Sequence, residues 1–109
     1  MAHSLTFSVS PAKCPEDAPS LREVRTAVFI VEQGVPPDLE WDDLDADCAH
    51  VLARDAAGHA IGTGRLLPDR KIGRMAVVQR ARGQGVGAAI MQALLAMARE
   101  RGDAEVELS

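Results

Sequence analysis

The sequence has no tyrosine, and two phenylalanines and one tryptophan are its only aromatic residues. So few rings exclude an aromatic cage for a quaternary cation, which needs several of them around one point. Phe29 and Trp41 are therefore read as packing residues. Cysteine is scarce too: Cys14 and Cys48 form no Cys-x-x-Cys pair, so a compact zinc motif and a dithiol redox motif are both absent. Two free thiols in a reducing cytoplasm are expected, although pairing is decided by a Cα separation that a sequence does not show. No run of 18 apolar residues occurs, which excludes a transmembrane helix. The stretch Met1-Ala2-His3-Ser4 lacks the basic and apolar regions of a signal peptide. With Lys and Arg outnumbered 12 to 16 by Asp and Glu and a net charge of −4, a general nucleic-acid surface is not expected.

What is present is an ordinary globular composition, 47% hydrophobic and 26% charged over 109 residues, which predicts one domain over 1–109. A chain of this size buries roughly 60–70% of the surface its unfolded form exposes, enough for a core without metal or disulfide staples. Charge is unevenly spread. Residues 1–60 carry 4 basic and 11 acidic side chains, a balance of −7, whereas residues 61–109 carry 8 and 5, a balance of +3. The second part can thus attract a small anion although the whole is acidic. Asp38, Glu40, Asp42, Asp43, Asp45 and Asp47 crowd into one segment with Trp41 and Leu44. That segment is either a solvated loop or a collar drawing in a cationic substrate.

Alternation at period two predicts a half-buried strand over 5–9. Ser20-Leu21-Arg22-Glu23 has the form of a capping box and predicts a helix starting at Ser20, with Leu21, Val24, Val28 and Val31 as its buried stripe. Gly34 is a fitting C-terminal cap, and Pro36-Pro37 cannot continue the helix. Strands are expected over 50–54, 60–67 and 71–78, joined by turns at 57–59 and 68–70, which gives an antiparallel meander. A helix follows over 88–101 with Val86, Ile90, Leu94 and Met97 on one face. Gly102 stops it, and a fifth strand is expected over 104–108. The order is β-α-β-β-β-α-β: an α+β fold with a mixed, mostly antiparallel sheet flanked by helices.

Chemistry concentrates between the fourth strand and the second helix. Gly83, Gly85 and Gly87 allow positive φ and close backbone approach, and the helix start aims several N–H groups at one spot, which favours an anion such as a phosphate. Arg80 and Arg82 can add charge-assisted bonds. A P-loop needs Gly-Lys-Ser/Thr at the helix start, but Gly87 is followed by Ala88-Ala89. The dinucleotide fingerprint needs G-x-G-x-x-G opening a βαβ unit, whereas here G-x-G-x-G follows a meander. A structural glycine turn that binds nothing is the remaining alternative.

Arg82-Gly83-Gln84-Gly85-Val86-Gly87 matches the Q/R-x-x-G-x-G/A signature of the GNAT superfamily of N-acetyltransferases, and Met75-Ala76-Val77-Val78 before it resembles that family's fourth strand. The element order agrees over nearly the whole chain. The stretch from Leu21 through Phe29, the run Glu32-Gln33-Gly34-Val35-Pro36, and Trp41-Asp42 with Asp45, Asp47 and His50 resemble the ElaA-like branch. The resemblance implies acetyl transfer from acetyl-CoA, as cosubstrate, to a primary amine of a small acceptor by direct attack. It implies that the backbone of Arg82, Gly83, Gln84, Gly85, Val86 and Gly87 wraps the pyrophosphate of coenzyme A. Met75, Ala76 and Val77 would then face the pantetheine arm, one N–H polarising the thioester carbonyl.

The sequence departs from the family pattern at the proton-transfer groups. Some members carry a glutamate early in the fourth strand, but residues 71–74 hold no acid, and the tyrosine that often protonates the leaving thiolate has no counterpart. Glu32, at the end of the first helix, is a candidate base, with an exposed helix-end carboxylate as the alternative. His50 is a candidate proton relay at the acceptor site or a hydrogen-bonded residue that orients a loop. The spacing of His50, Cys48, Asp45 and Asp47 matches no compact zinc pattern, so no metal is expected. Met75, Met91 and Met97 read as core filler. A non-catalytic acyl-CoA-binding or regulatory domain is the alternative function. The family fold usually continues through a further helix and two strands. A fragment of a longer enzyme, or a homodimer covering an exposed sheet edge, is therefore expected.

Overall fold

Period-two alternation places Phe7 and Val9 half-buried between exposed Ser8 and Ser10, and the stretch Phe7–Pro11 forms strand β1. The computed structural model describes residues 6–13, 16–36, 49–103 and 105–108. Strand β1 therefore lies two residues later than the pattern over 5–9 predicts, and Leu5 is outside the described residues. Strands β2 (Ala49–Asp55), β3 (Ala60–Leu66) and β4 (Lys71–Val77) form the expected antiparallel meander. The β2–β3 turn is built by Asp55, whose carboxylate accepts the N–H groups of Ala57 at 3.0 Å and His59 at 2.9 Å. Strand β5 (Glu107–Leu108) pairs parallel to the start of β4, with Lys71 opposite Glu107 and Ile72 opposite Leu108. The sheet order is β1-β2-β3-β4-β5.

Helix α1 (Ala18–Arg25) begins two residues before the predicted capping box. Pro19 suits the first turn, where a backbone N–H would have no helical acceptor anyway. Asp17 stands at the N-cap, but its carboxylate accepts the Lys13 N–H at 2.7 Å and the Arg54 guanidinium at 2.9 Å instead of capping the helix. The chain then widens into a π-helical segment, Thr26–Glu32, in which the Gln33 N–H reaches back five residues to the Val28 carbonyl at 3.1 Å. The wider turn breaks the predicted stripe: Leu21, Val24 and Val28 are buried, but Val31 is 76% exposed. Gly34, at φ 73°, ends the segment as expected.

Helix α2 (Val86–Arg101) starts two residues earlier than predicted, after Gly85 at φ 86°, and stops at Gly102 at φ 92°. Its buried row is Val86, Ile90, Leu94 and Ala98. Strict i, i+4 spacing carries the row to Ala98 and leaves Met97 at its partly buried margin. The helices cover opposite faces of the sheet. Val51 packs under α2 and its neighbour Leu52 under α1, as side chains alternate along a strand. Burying each such aliphatic side chain contributes about 1.5–3 kcal/mol. Helix α2 sits so close to β3 that a Cβ at Gly62 would lie 2.8 Å from Ile90, and one at Gly64 2.9 Å from both Ile90 and Leu94.

Candidate functional site

Strand β4 is irregular where the site begins. Thr63 pairs with Ala76 and Arg65 with Gly73, so β4 has one residue more than β3 between the two pairs. This bulge contains Arg74, whose φ of 49° lies in the left-handed region. A bulge takes one residue out of the ladder and re-aims the local backbone, and a non-glycine residue held there costs on the order of 1–3 kcal/mol. Beyond it, Met75 and Val77 point toward the α2 core and Ala76 toward α1.

After β4 the chain makes one short 3-10 turn, Gln79–Ala81, and an extended residue, Arg82. Gly83 at φ 75° and Gly85 at φ 86° then reverse it into α2. No atom lies within 4 Å of a Cβ built at either glycine, so both backbones are open to an approaching ligand. The first turn of α2 has no side-chain cap. Its N–H groups have no helical acceptor, and the helix dipole adds partial positive charge there. Gly87 lies under the turn, 3.9 Å from Val77 as measured from a built Cβ.

The two arginines are directed differently. Arg80 reaches Asp55 at 3.4 Å, over the β2–β3 turn. The Asp55 carboxyl is held below the usual aspartate value, first by the His59 N–H and then by Arg80, against some desolvation. Arg82 donates its Nε–H to the Val77 carbonyl at 2.9 Å and both terminal nitrogens to the two carboxylate oxygens of Glu32, each at 2.6 Å. The Arg82 hydrogen bonds hold the Glu32 carboxyl below its ordinary value, and Glu32 in turn raises Arg82. A cavity of about 320 Å³ opens beside this pair, lined by Ala27, Val28, Val31, Glu32, Val78 and Gln79.

Glu32 and the start of the Arg82–Gly87 run are thus brought together at the end of β4. His50 is not in that group. It is buried in β2, opposite Arg65, which is itself opposite Gly73 near the start of β4. Two further buried cations escaped the sequence reading: Arg25 on α1 and Arg65 on β3, each engaged in a polar interaction. Arg25 follows Leu21 by four residues, so helical spacing alone was the signal for its inward position. The bulge and the Glu32–Arg82 pair had no signal at all. The acids Asp38, Glu40, Asp42, Asp43, Asp45 and Asp47, with Trp41, Leu44, Cys14 and Cys48, lie outside the described residues. Among the described residues no three His, Cys, Asp or Glu side chains group as a metal site, and no helix is long and apolar enough to cross a membrane.

Comparison with known proteins bears on the family and the fold. The sequence profile described as "Acetyltransferase (GNAT) family" matches residues 18–109. An uncharacterised N-acetyltransferase of Bacillus subtilis, YjcF, is 36% identical over 86 residues, covering 76% of this chain and 61% of its own. An acyl-CoA N-acyltransferase from Pseudomonas aeruginosa superposes with a TM-score of 0.75 at 32% identity, over 93% of this chain and 75% of that one. Escherichia coli ElaA has the same fold, with a TM-score of 0.72 at 24% identity over 95% of this chain and 76% of that one. The chain spans between 47% and 69% of the length of the curated relatives it matches.

Proposed function

Because the chain belongs to the acetyltransferase (GNAT) family, we propose that it transfers an acetyl group from acetyl-CoA to a primary amine of a small acceptor. The observation that carries this reading is the uncapped start of α2 behind two left-handed glycines, with Arg82 beside it. We assign the backbone of residues 82–87 to the pyrophosphate of coenzyme A, and Met75, Ala76 and Val77 to the pantetheine arm and the thioester. The fit is physical. Both glycines present open backbone, the amides and the helix dipole favour an anion, and Arg82 supplies positive charge.

In this reading the amine nitrogen attacks the thioester carbonyl. The C–N bond forms, the C–S bond breaks, the nitrogen gives up a proton and the departing thiolate takes one. The bulge at Arg74 re-aims the backbone of β4 where the thioester would lie, so an N–H of the Met75–Val77 stretch can meet the developing oxyanion. Glu32 is a poor proton acceptor here, since Arg82 occupies both of its oxygens and lowers its basicity. His50 stands two strands from the bulge, about 10 Å by strand spacing. The buried Arg65 side chain stands on the strand between them, so we place His50 on the acceptor side only as a residue that would act through Arg65 or a relayed proton.

The reading is tested by melting the protein with and without acetyl-CoA and following thiol release with a panel of amines. Acetyl-CoA at one hundred times its dissociation constant is expected to add about 2.7 kcal/mol, and thiol release should depend on the amine. No change in melting at saturating acetyl-CoA would overturn the assignment of the loop. A change without thiol release would favour a domain that binds acyl-CoA and does not turn over.

A further inference from the structure

Glu32 is the last residue of the π-helical segment and Arg82 opens the glycine loop, yet the two meet in a two-pronged ion pair. Three of the five guanidinium N–H groups are directed: one to the Val77 carbonyl and two to Glu32. The other two carry no partner among the described residues. Because the guanidinium is planar and rigid, fixing three donors also fixes where the other two lie.

The pair is badly suited to simple stabilisation. Its side chains are 41% and 36% exposed, and ion pairs that reach water contribute little to folding. The chain nevertheless adopts a rare π-helical turn at this place and exposes Val31 there. Such turns recur at functional sites. Bare electrostatics would also place a carboxylate here only at a cost, since Glu32 opposes any anion bound by the loop.

We propose that Glu32 is a positioning residue for the anion site: it fixes the Arg82 guanidinium at the start of the glycine loop, and of the two remaining N–H groups, which point to opposite edges of the plane, one is left for a pyrophosphate. This rests on the reading of the loop as the coenzyme A site. It gives Glu32 a function through Arg82 and none in proton transfer.

A positioning role and a plain charge effect predict opposite signs. Replacing Glu32 by Gln removes a negative charge near the anion, so electrostatics alone would tighten binding. Loss of positioning would weaken it. Calorimetric titration with coenzyme A should show the dissociation constant of E32Q raised about five- to tenfold, as for a charge-assisted bond left poorly aligned. ADP, which has the pyrophosphate but no pantetheine, should lose the same factor. In the double variant with R82Q, the Glu32 change should add nothing to the loss caused by R82Q alone. A melting curve accompanies each variant; should E32Q fail to fold, R82K replaces it, keeping the charge but not the fork, with weaker binding expected. Wild-type binding with E32Q or R82K unchanged or tighter, or an E32Q loss that persists in the R82Q background, would overturn the role of Glu32 alone. Failure of the wild-type chain to bind coenzyme A would overturn the reading of the loop and the positioning role with it.

Discussion

Gly85 is the residue on which the site turns. At φ 86° it adopts a conformation that side chains rarely take, yet no atom stands within 4 Å of where a Cβ would go. A substitution there is strained by its backbone and not by a neighbour. Gly85→Val is expected to lower stability by about 1–2 kcal/mol, the cost of a left-handed L-residue, and, if the loop holds the pyrophosphate as proposed, to abolish binding of coenzyme A, because the added methyls would occupy the open space beside the turn. Urea unfolding and calorimetric titration check the two parts separately. A variant that loses stability and keeps full affinity would remove Gly85 from the binding surface. The sequence pattern made Gly83, Gly85 and Gly87 legible because a run of glycines before a helix has few physical uses. It made Glu32 visible only as an acid at a helix end. Nothing in a linear sequence says that a carboxylate and a guanidinium fifty positions apart share two hydrogen bonds.

Among the elements, β3 and α2 show how glycine can also act by its small size. Gly62 and Gly64 present a flat patch to Ile90 and Leu94, which lets α2 lie low on the sheet and fixes the height of the loop that leads into it. Gly64→Ala should push against Ile90 and Leu94 at 2.9 Å and against Met75 at 3.2 Å. A loss of about 1–3 kcal/mol is expected, as for overpacked cores, and thermal melting measures it. A variant as stable as the wild type would mean that the helix gives way at no cost. Most element types were legible from period and turn residues, because a meander joined by short turns leaves each strand its own alternation. Boundaries failed where a non-local contact decided them. Asp17 is drawn off by Arg54 and does not cap α1, and the helix begins at Ala18. Val31 was misplaced for a different reason: the α period of the sequence does not describe a π turn.

At the scale of the whole molecule, several separate parts are tied by carboxylates. Asp17 links the segment before α1 to β2, Asp55 links the β2–β3 turn to Arg80, and Glu32 links the π segment to the loop. All three carboxyls are lowered in the folded chain, Asp17 first by the Lys13 N–H, Asp55 first by the His59 N–H and Glu32 first by Arg82. A lowered carboxyl stabilises the fold above its unfolded value and loses that contribution as pH falls through the folded one. Stability should thus be steady at neutral pH and decline as pH drops below the ordinary 4.5 of glutamate and 3.8 of aspartate. In urea titrations, a D17N/D55N double variant should be weaker than the wild type at pH 7 and equal to it in strong acid. A gap that stays constant with pH would show that ionisation of these groups is not involved. The sheet order carries a consequence of another kind. Strands β1 to β4 are neighbours in space in the order in which they occur along the chain, and β2, β3 and β4 are joined by short turns, so during folding each of these three can zip onto the hairpin made just before it with little loop entropy lost. Two closures must wait for a whole helix to swing across: Phe7 against Asp55 over α1, and Lys71 against Glu107 over α2. The glycine turn lies within the second of these closures, and α2 beyond it supplies Val86, Ile90, Leu94 and Ala98 to the core, so the loop proposed to hold the ligand is expected to take shape together with that side of the core.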